Sequence, residues 1–322
     1  MMRHLLKRSI AALGTAVAIA MLWSVTSSQP LAQSVAGQVQ LPANYKAPPT
    51  PDGQPDLNGF WQSVSPANWN IEEHDTRSGP YENLVGAYLS EPPGFGIVEG
   101  GTIPYKPEAL KRRDEYFKNR LVHDPLKAGN AISEEEVLSD PEAKCFQGGG
   151  LVRATYMPYP LQILQGRDKI LIAYQFGGSA FRVVHMVKGG DLDKAIEDFT
   201  LDNDRWLGRS AGRWDGDTLV VATKGPYYRS VWLDRAGNFM SPNAKVEERY
   251  TAISPYHLRY EATITDPDTF TRPWKIRLPL YKIIEQPNMQ LLEFQCIPHV
   301  EEFMYGKLKN ERKRYPEGFE VR

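Results

Sequence analysis

The sequence predicts a mainly β protein, an antiparallel barrel or sandwich of about ten strands wrapped by a loop-rich N-terminal half with a few short helices. Three observations predict it. Beyond residue 160, short apolar runs alternate with turn residues at regular spacing, the pattern of an all-β domain. Asp215-Gly216 sits between two such runs and is the strongest hairpin signal in the chain. With 26 Gly and 25 Pro among 322 residues, long uninterrupted helices have little room.

Residues 1–36 read as a secretory signal peptide. Arg3, Lys7 and Arg8 make a positive start, and residues 10–23 are uncharged and apolar. Ser34-Val35-Ala36 before Gly37 offers a small-residue cleavage site, with Ala32 before Gln33 as the alternative. The competing reading is a membrane anchor, which Thr26, Ser27, Ser28, Gln29, Pro30 and Gln33 disfavour as lipid-facing residues. The expected address is the periplasm, with no stable anchor after cleavage. The net charge of −1 becomes −4 once the three basic residues of 1–36 are gone. Balanced charge without a basic stripe excludes nucleic acid as the expected partner.

Residues 37–322 read as one domain. Its loop-rich lead-in covers 37–150, its β core 151–300, and its polar helix or tail 301–322. Residues 37–60 are rich in Pro and polar residues and should run extended. Gly59-Phe60-Trp61 opens a short apolar stretch, and 63–105 should be mostly loop. Pro107 suits the first position of a helix over 107–121, whose Leu110, Phe117 and Leu121 recur at helical spacing. Ser133-Glu134-Glu135-Glu136 is a capping-box pattern.

Ten strands are expected after that, at 161–165, 169–176, 180–187, 209–214, 217–223, 228–233, 245–253, 257–265, 274–284 and 291–297. Alternation places Leu258, Tyr260, Ala262 and Ile264 on one face, with His257, Arg259, Glu261 and Thr263 on the other. Runs 170–176 and 219–222 are apolar on both faces and should be covered on each side. Cys145 and Cys296 are the two cysteines. In an oxidising compartment they should pair, closing a loop of about 150 residues worth on the order of 4–5 kcal/mol. Two buried free thiols are the alternative.

Several blocks stand in a telling order. They are Thr50-Pro-Asp-Gly-Gln-Pro-Asp-Leu-Asn-Gly-Phe-Trp61, Trp206-Leu-Gly-Arg-Ser-Ala-Gly-Arg-Trp-Asp-Gly-Asp-Thr-Leu-Val-Val221, Glu247-Glu-Arg-Tyr250, Tyr260-Glu261 followed by Asp266-Pro267, and Thr271-Arg-Pro-Trp274. In this pattern the chain resembles a large group of uncharacterised secreted bacterial proteins, common in proteobacteria and acidobacteria. The resemblance implies no activity and no catalytic residues. Members of that group often carry a His near the position of Met240. Gly59-Phe60-Trp61 also resembles the Gly-x-Trp opening of lipocalins, a three-residue match that implies a lipocalin-like barrel.

Local catalytic signatures are few. His74, His123, His185, His257 and His299 form no HxH or HExxH pair, and no CxxC is present, so no metal is expected. Gly208-Arg-Ser210-Ala-Gly212 fits the letters of a nucleophile elbow, but a strand follows where a helix is needed, so it reads as structural. Gly148-Gly149-Gly150 lacks the Lys-Ser/Thr of a phosphate loop. No nucleotide or flavin motif stands, and no cofactor is expected.

Polar residues on otherwise apolar strands remain. Arg182 shares a face with Ala180, Val184 and Met186, while His185 lies opposite with Phe181, Val183 and Val187. Glu293 alternates with Leu291 and Ile297, and Tyr174 with Ile170, Ile172 and Phe176. A buried Arg182 needs an acidic partner, for which Glu293 or Glu261 is expected. One reading is a core ion pair plus a packed histidine. The other is a polar cluster in an apolar cavity, with His185 or Glu293 as base, Tyr174 as proton donor and Arg182 holding a carboxylate or oxyanion. The second makes the protein a cofactor-independent acid–base lyase or isomerase on a small aromatic or apolar molecule. The alternative is a non-catalytic periplasmic binding or assembly protein.

Overall fold

Alternating strands with one apolar face bury it most completely by closing on themselves. A computed structural model of the chain describes residues 45–78, 90–119, 140–145, 151–176, 181–198, 207–225, 231–297 and 300. All belong to the unit Asn44–Arg322. The expected signal peptide at 1–36, the capping box at 133–136, the glycine run at 148–150, His123, His299 and the C-terminal helix beyond residue 300 lie outside the described residues.

The elements run β1 (Gly59–Ser63), β2 (Glu73–His74), β3 (Gly94–Phe95), α1 (Pro107–Asn119), a 3-10 turn (Pro141–Lys144), α2 (Arg153–Tyr156), β4 (Leu161–Gln165), β5 (Lys169–Tyr174) and β6 (Phe181–Met186). Then follow α3 (Leu192–Glu197), β7 (Arg209–Asp215), β8 (Thr218–Lys224), β9 (Val231–Trp232), β10 (Phe239–Met240), β11 (Lys245–Ser254), β12 (His257–Thr265) and β13 (Trp274–Lys282). Nine strands form a closed barrel in the order β1-β13-β12-β11-β8-β7-β6-β5-β4, with β1 returning to β4 through Gly59↔Ile163 and Trp61↔Leu161. The pairs β2–β3 and β9–β10 are separate two-stranded ribbons.

Most expected strands stand within a residue or two of their predicted bounds, and the hairpins at 166–168 and 215–217 are both present. Four features differ. First, β6 and β7 run parallel, with His185 opposite Ala211. A parallel neighbour needs a crossover, and the chain between them carries α3, which lays Leu192 and Ile196 over Ala211, Val220 and Ala222. That packing covers the outer face of β8, as its two-sided apolar run requires, whereas the outer residues Leu171, Ala173 and Gln175 at β5 stay half-buried.

Second, β1 was read only as an apolar stretch, yet it is the strand that closes the barrel. Trp61 points inward and its indole N–H donates to the Leu57 carbonyl at 3.0 Å. The nine-strand barrel with one parallel junction is therefore not the eight-strand up-and-down arrangement of lipocalins. Third, β9 keeps only Val231–Trp232 of its expected strand among the described residues.

Fourth, 291–297 is not a strand. Once β1 meets both β13 and β4, the barrel has no free edge for it. The segment runs from the end of β13 back to the start of β4 as a strap. Phe294 stacks there against Tyr159 and Phe176, centroids 4.9 and 5.2 Å away. The strap is pinned by a disulfide between Cys145 and Cys296, with Cα atoms 5.7 Å apart. The predicted pairing of the two cysteines is thus present.

One end of the barrel is plugged. There β5 ends, β4, β6 and β11 begin, and the one-turn helix α2 buries all four of its residues. Arg153, fully buried, donates from Nε to Asn68 at 2.7 Å and from both Nη atoms to Asp140 at 2.7 and 3.0 Å, and also bonds Glu142. Arg235 grips the same Glu142 with two bonds of 2.8 and 2.7 Å. Beside them Asp234 accepts from the Ile71 amide at 2.9 Å and from Asn238 Nδ2 at 2.7 Å, which ties the β9–β10 turn to the N-terminal wrap.

Candidate functional site

The barrel interior is apolar except at this plugged end. On β11 the inward positions read Val246, Glu248, Tyr250, Ala252, and the register places Tyr250 opposite Tyr260 of β12. Glu248 is thereby carried into the core, against Arg182 from β6. Arg182 Nη1 donates to Glu248 Oε2, and Nη2 donates to Glu248 Oε1 at 3.3 Å and to the Tyr250 hydroxyl at 3.2 Å. The Tyr250 and Tyr260 hydroxyls each donate to Glu248 Oε1 at 2.9 Å. The carboxylate is fully engaged.

Arg182 therefore has an acidic partner, as burial demands, but neither expected one. Glu261 sits on the outward face of β12, where Arg277 Nε donates to it at 2.9 Å. Glu293 is exposed on the strap and accepts from Gln295 Nε2 at 3.0 Å. Its expected face-mates Leu291 and Ile297 are half-buried and exposed, since no sheet orders them. Tyr174 does join Arg182 inside the barrel. His185 lies on the opposite, outer face of β6, half-buried. The four expected site residues thus divide, with Tyr174 and Arg182 brought together and His185 and Glu293 placed elsewhere.

The Tyr174 hydroxyl interacts with Thr155 of α2 and with Arg182, both of which act on it as hydrogen-bonding neighbours, though neither contact has ordinary hydrogen-bond geometry. Tyr174 OH, Thr155 Oγ1 and Arg182 Nε are buried at this spot, and none makes a hydrogen bond of ordinary geometry among the described residues. Ala154, Met157, Tyr159, Pro160, Tyr174, Gln175 and Phe176 line a shallow cleft at this end, with no room to enclose a water molecule. Phe294 of the strap rests on two of those rings.

Electrostatics hold the cluster in one protonation state. Burial works against the Arg182 charge, but Glu248, with Tyr174 and Tyr250 beside it, overrides burial and holds the guanidinium above its usual range. Burial pushes the Tyr174 phenol up, with Glu248 adding to that effect and Arg182 opposing it. Tyr250 and Tyr260 are pushed further up by burial and by Glu248. All three phenols remain donors at neutral pH. Among the described residues, no three His, Cys, Asp or Glu side chains gather as a metal-binding group.

The elbow-like run at 208–212 is structural. Ser210 shares a hydrogen bond of 2.8 Å with Thr223 inside the barrel. A Cβ on Gly212 would stand 2.7 Å from Val184 Cγ1, so glycine is needed there for β6 and β7 to pack.

Sequence reasoning missed Glu248, Tyr250, Tyr260 and Thr155. For the first two a signal was present, because Glu248 is in phase with Val246, Tyr250 and Ala252 on a strand whose other residues alternate polar. Thr155 had none, since a one-turn helix carries no periodicity.

These features define a closed, mainly β barrel with a charge-balanced polar cluster in its core and a cleft lined by aromatic residues at its plugged end. No protein-family model and no curated protein matches the chain. Among solved structures, a mutant of the fluorescent protein UnaG is similar over 39% of this chain and 72% of its own, at 14% identity and a TM-score of 0.22.

Proposed function

We propose that the protein is a secreted small-molecule-binding barrel, which takes an aromatic or apolar molecule at the plugged end and holds it over Tyr174, Thr155 and Arg182. One observation carries this reading: a cleft lined by Tyr159, Tyr174 and Phe176 opens at the plugged end, and the Tyr174 hydroxyl in its lining sits beside Thr155 and Arg182. Entry requires the Tyr159–Phe176–Phe294 stack to part, as interface side chains commonly do on binding.

Binding is favoured over acid–base turnover because the proton carriers are dispersed. His185 faces outward, Glu293 sits on the strap, and the phenols at the cluster are held protonated. The disulfide supports an oxidising compartment, and with it the periplasmic address. Two of the blocks behind the resemblance to secreted bacterial proteins, at 247–250 and 260–261, supply Glu248, Tyr250 and Tyr260.

The test uses Nile red, a neutral aromatic dye bearing a carbonyl. Oxidised protein should raise its emission saturably. Tyr174→Phe should weaken the dye by about tenfold, the worth of one hydrogen bond. The same substitution should lower the melting temperature by no more than about 2–4 °C, because it removes one hydroxyl and keeps the packing of the ring. A Tyr174→Phe protein that binds the dye as well as the parent refutes the proposal.

A further inference from the structure

We infer that residues 291–297 are a redox-released cover. A dithiol that reduces the Cys145–Cys296 bond frees this strap from a barrel that stays closed, and uncovers the rings of Tyr159 and Phe176. The inference goes beyond the small-molecule reading above, and only its dye readout rests on that reading.

The two ends of the bond are held very differently. Cys145 closes the 3-10 turn Pro141–Lys144, and its amide donates to the Glu142 carbonyl at 3.0 Å. Side chains of that turn fasten it to the plug, since Asp140 and Glu142 both bond Arg153, and Glu142 also takes Arg235 and the Asn68 amide. Cys296 has no such support. Among the described residues, 291–297 make no hydrogen bond to the barrel, and the bond from Gln295 to Glu293 is internal to the strap. Phe294 holds by stacking on Tyr159 and Phe176, but Leu292 and Ile297 stand 69% and 59% exposed.

Holding a segment of this length in one conformation costs backbone and side-chain entropy. One stacked ring without ladder hydrogen bonds does not offset that cost, so the covalent bond is the latch. Once it opens, Cys145 stays with the plug and the strap leaves. The motion hinges after Ile283, whose amide still donates to the Phe60 carbonyl at 2.9 Å.

Both cysteines are only half-buried, and exposed disulfides are the labile ones. A thiolate of the dithiol attacks one sulfur, the S–S bond breaks and a mixed disulfide forms. The second thiol of the dithiol then displaces the protein sulfur from that mixed disulfide. Two electrons and two protons pass to the protein, which leaves Cys145 and Cys296 as thiols and the dithiol as a disulfide.

The test treats protein labelled with 4-fluorophenylalanine with dithiothreitol at pH 7.5, without denaturant. Fluorine NMR reads each ring, and Phe294→Leu assigns the strap signal. On reduction the Phe294 signal should move to a sharp, solvent-exposed position and Phe176 should shift with it. Phe239 and Phe270, buried in the core, should keep theirs. Reduced protein should bind Nile red at least about fivefold more tightly, because two ring contacts no longer have to part on entry. A bond that dithiothreitol cuts only in unfolding urea overturns the inference. So does a Phe294 signal that reduction leaves in place, or core signals that move along with it. Equal dye affinity in the two forms overturns it as well. Dye that binds neither form refutes the small-molecule reading alone, and the fluorine signals still decide the strap.

Discussion

Glu248→Gln should be among the most damaging single substitutions in the barrel. The carboxylate is fully buried, and its removal leaves the Arg182 guanidinium without a counter-charge in the core. Breaking a buried pair from one side costs about 3–5 kcal/mol. At roughly 2–4 °C per kcal/mol for a domain of this size, the melting temperature should fall by about 6–20 °C. Glu248→Leu should cost at least as much, and Arg182→Met a similar amount for the mirror-image reason; these two single variants close the cycle with the double variant. The double variant Arg182→Met/Glu248→Leu removes both charges, which is often neutral or stabilising by about 1–4 kcal/mol. It also strands the Tyr250 and Tyr260 hydroxyls, at about 1–3 kcal/mol each. It should therefore be more stable than either single variant, giving a coupling energy of several kcal/mol. Urea denaturation of the oxidised proteins at pH 7, followed by tryptophan fluorescence, measures the cycle. A Glu248→Gln loss below about 1 kcal/mol, or a double variant as damaged as the two singles combined, would refute the ion-pair account.

Other predictions concern the plug, the strap and the outer residues. Burial raises Asp234 to about 6, against the hydrogen bonds it accepts from Asn238 and Ile71. The folded state thus holds a proton that the unfolded state releases near pH 4, so stability should rise by about 2 kcal/mol as pH falls from 6 to 4. Asp234→Asn should abolish that rise in a pH series of urea midpoints, and an unchanged slope in the variant would count against it. Burial works against the Glu142 carboxylate, but Arg235 and Arg153 outweigh burial and lower it to about 2, so its contribution is complete above about pH 4.5 and lost as pH falls toward 2. Glu142→Gln should flatten the acid limb below pH 4.5, and an acid limb as steep as the parent's would refute this. Replacing both cysteines by serine should cost on the order of 4–5 kcal/mol and speed chymotryptic cleavage at Phe294, read by mass spectrometry; unchanged cleavage would mean the ring stack alone holds the strap. His185→Gln and Glu293→Gln should leave melting temperature and Nile red affinity within error, and loss of binding in either would restore them to the site.

Much of the wall was legible because a strand repeats every two residues. In 257–265 and 274–282 the alternation of Leu258, Tyr260, Ala262 and Ile264, and of Trp274, Ile276, Leu278 and Leu280, is the inward face seen in the barrel. Arg182 and Tyr174 were legible for the same reason, as polar residues in phase with Val184 and Ile172. Misassignment of the Arg182 partner was a matter of distance. Glu248 lies 66 residues away in sequence, and alternation says which face a carboxylate takes but not which strand stands across from it.

By itself, then, the sequence determined most of the strand positions and their inward faces, the expectation that its two cysteines pair and the need for a counter-charge at Arg182. These follow from local periodicity, from having two thiols and from the cost of burying a lone ion. Tertiary structure alone decided that Gly59–Ser63 closes the ring, that β6 meets β7 in parallel and that residues 291–297 become a strap. It also decided that Thr155 from a one-turn helix completes the cluster. Each of these depends on which edges are already occupied when the barrel shuts, and a barrel's last hydrogen bonds join segments far apart in sequence that carry no local mark of each other.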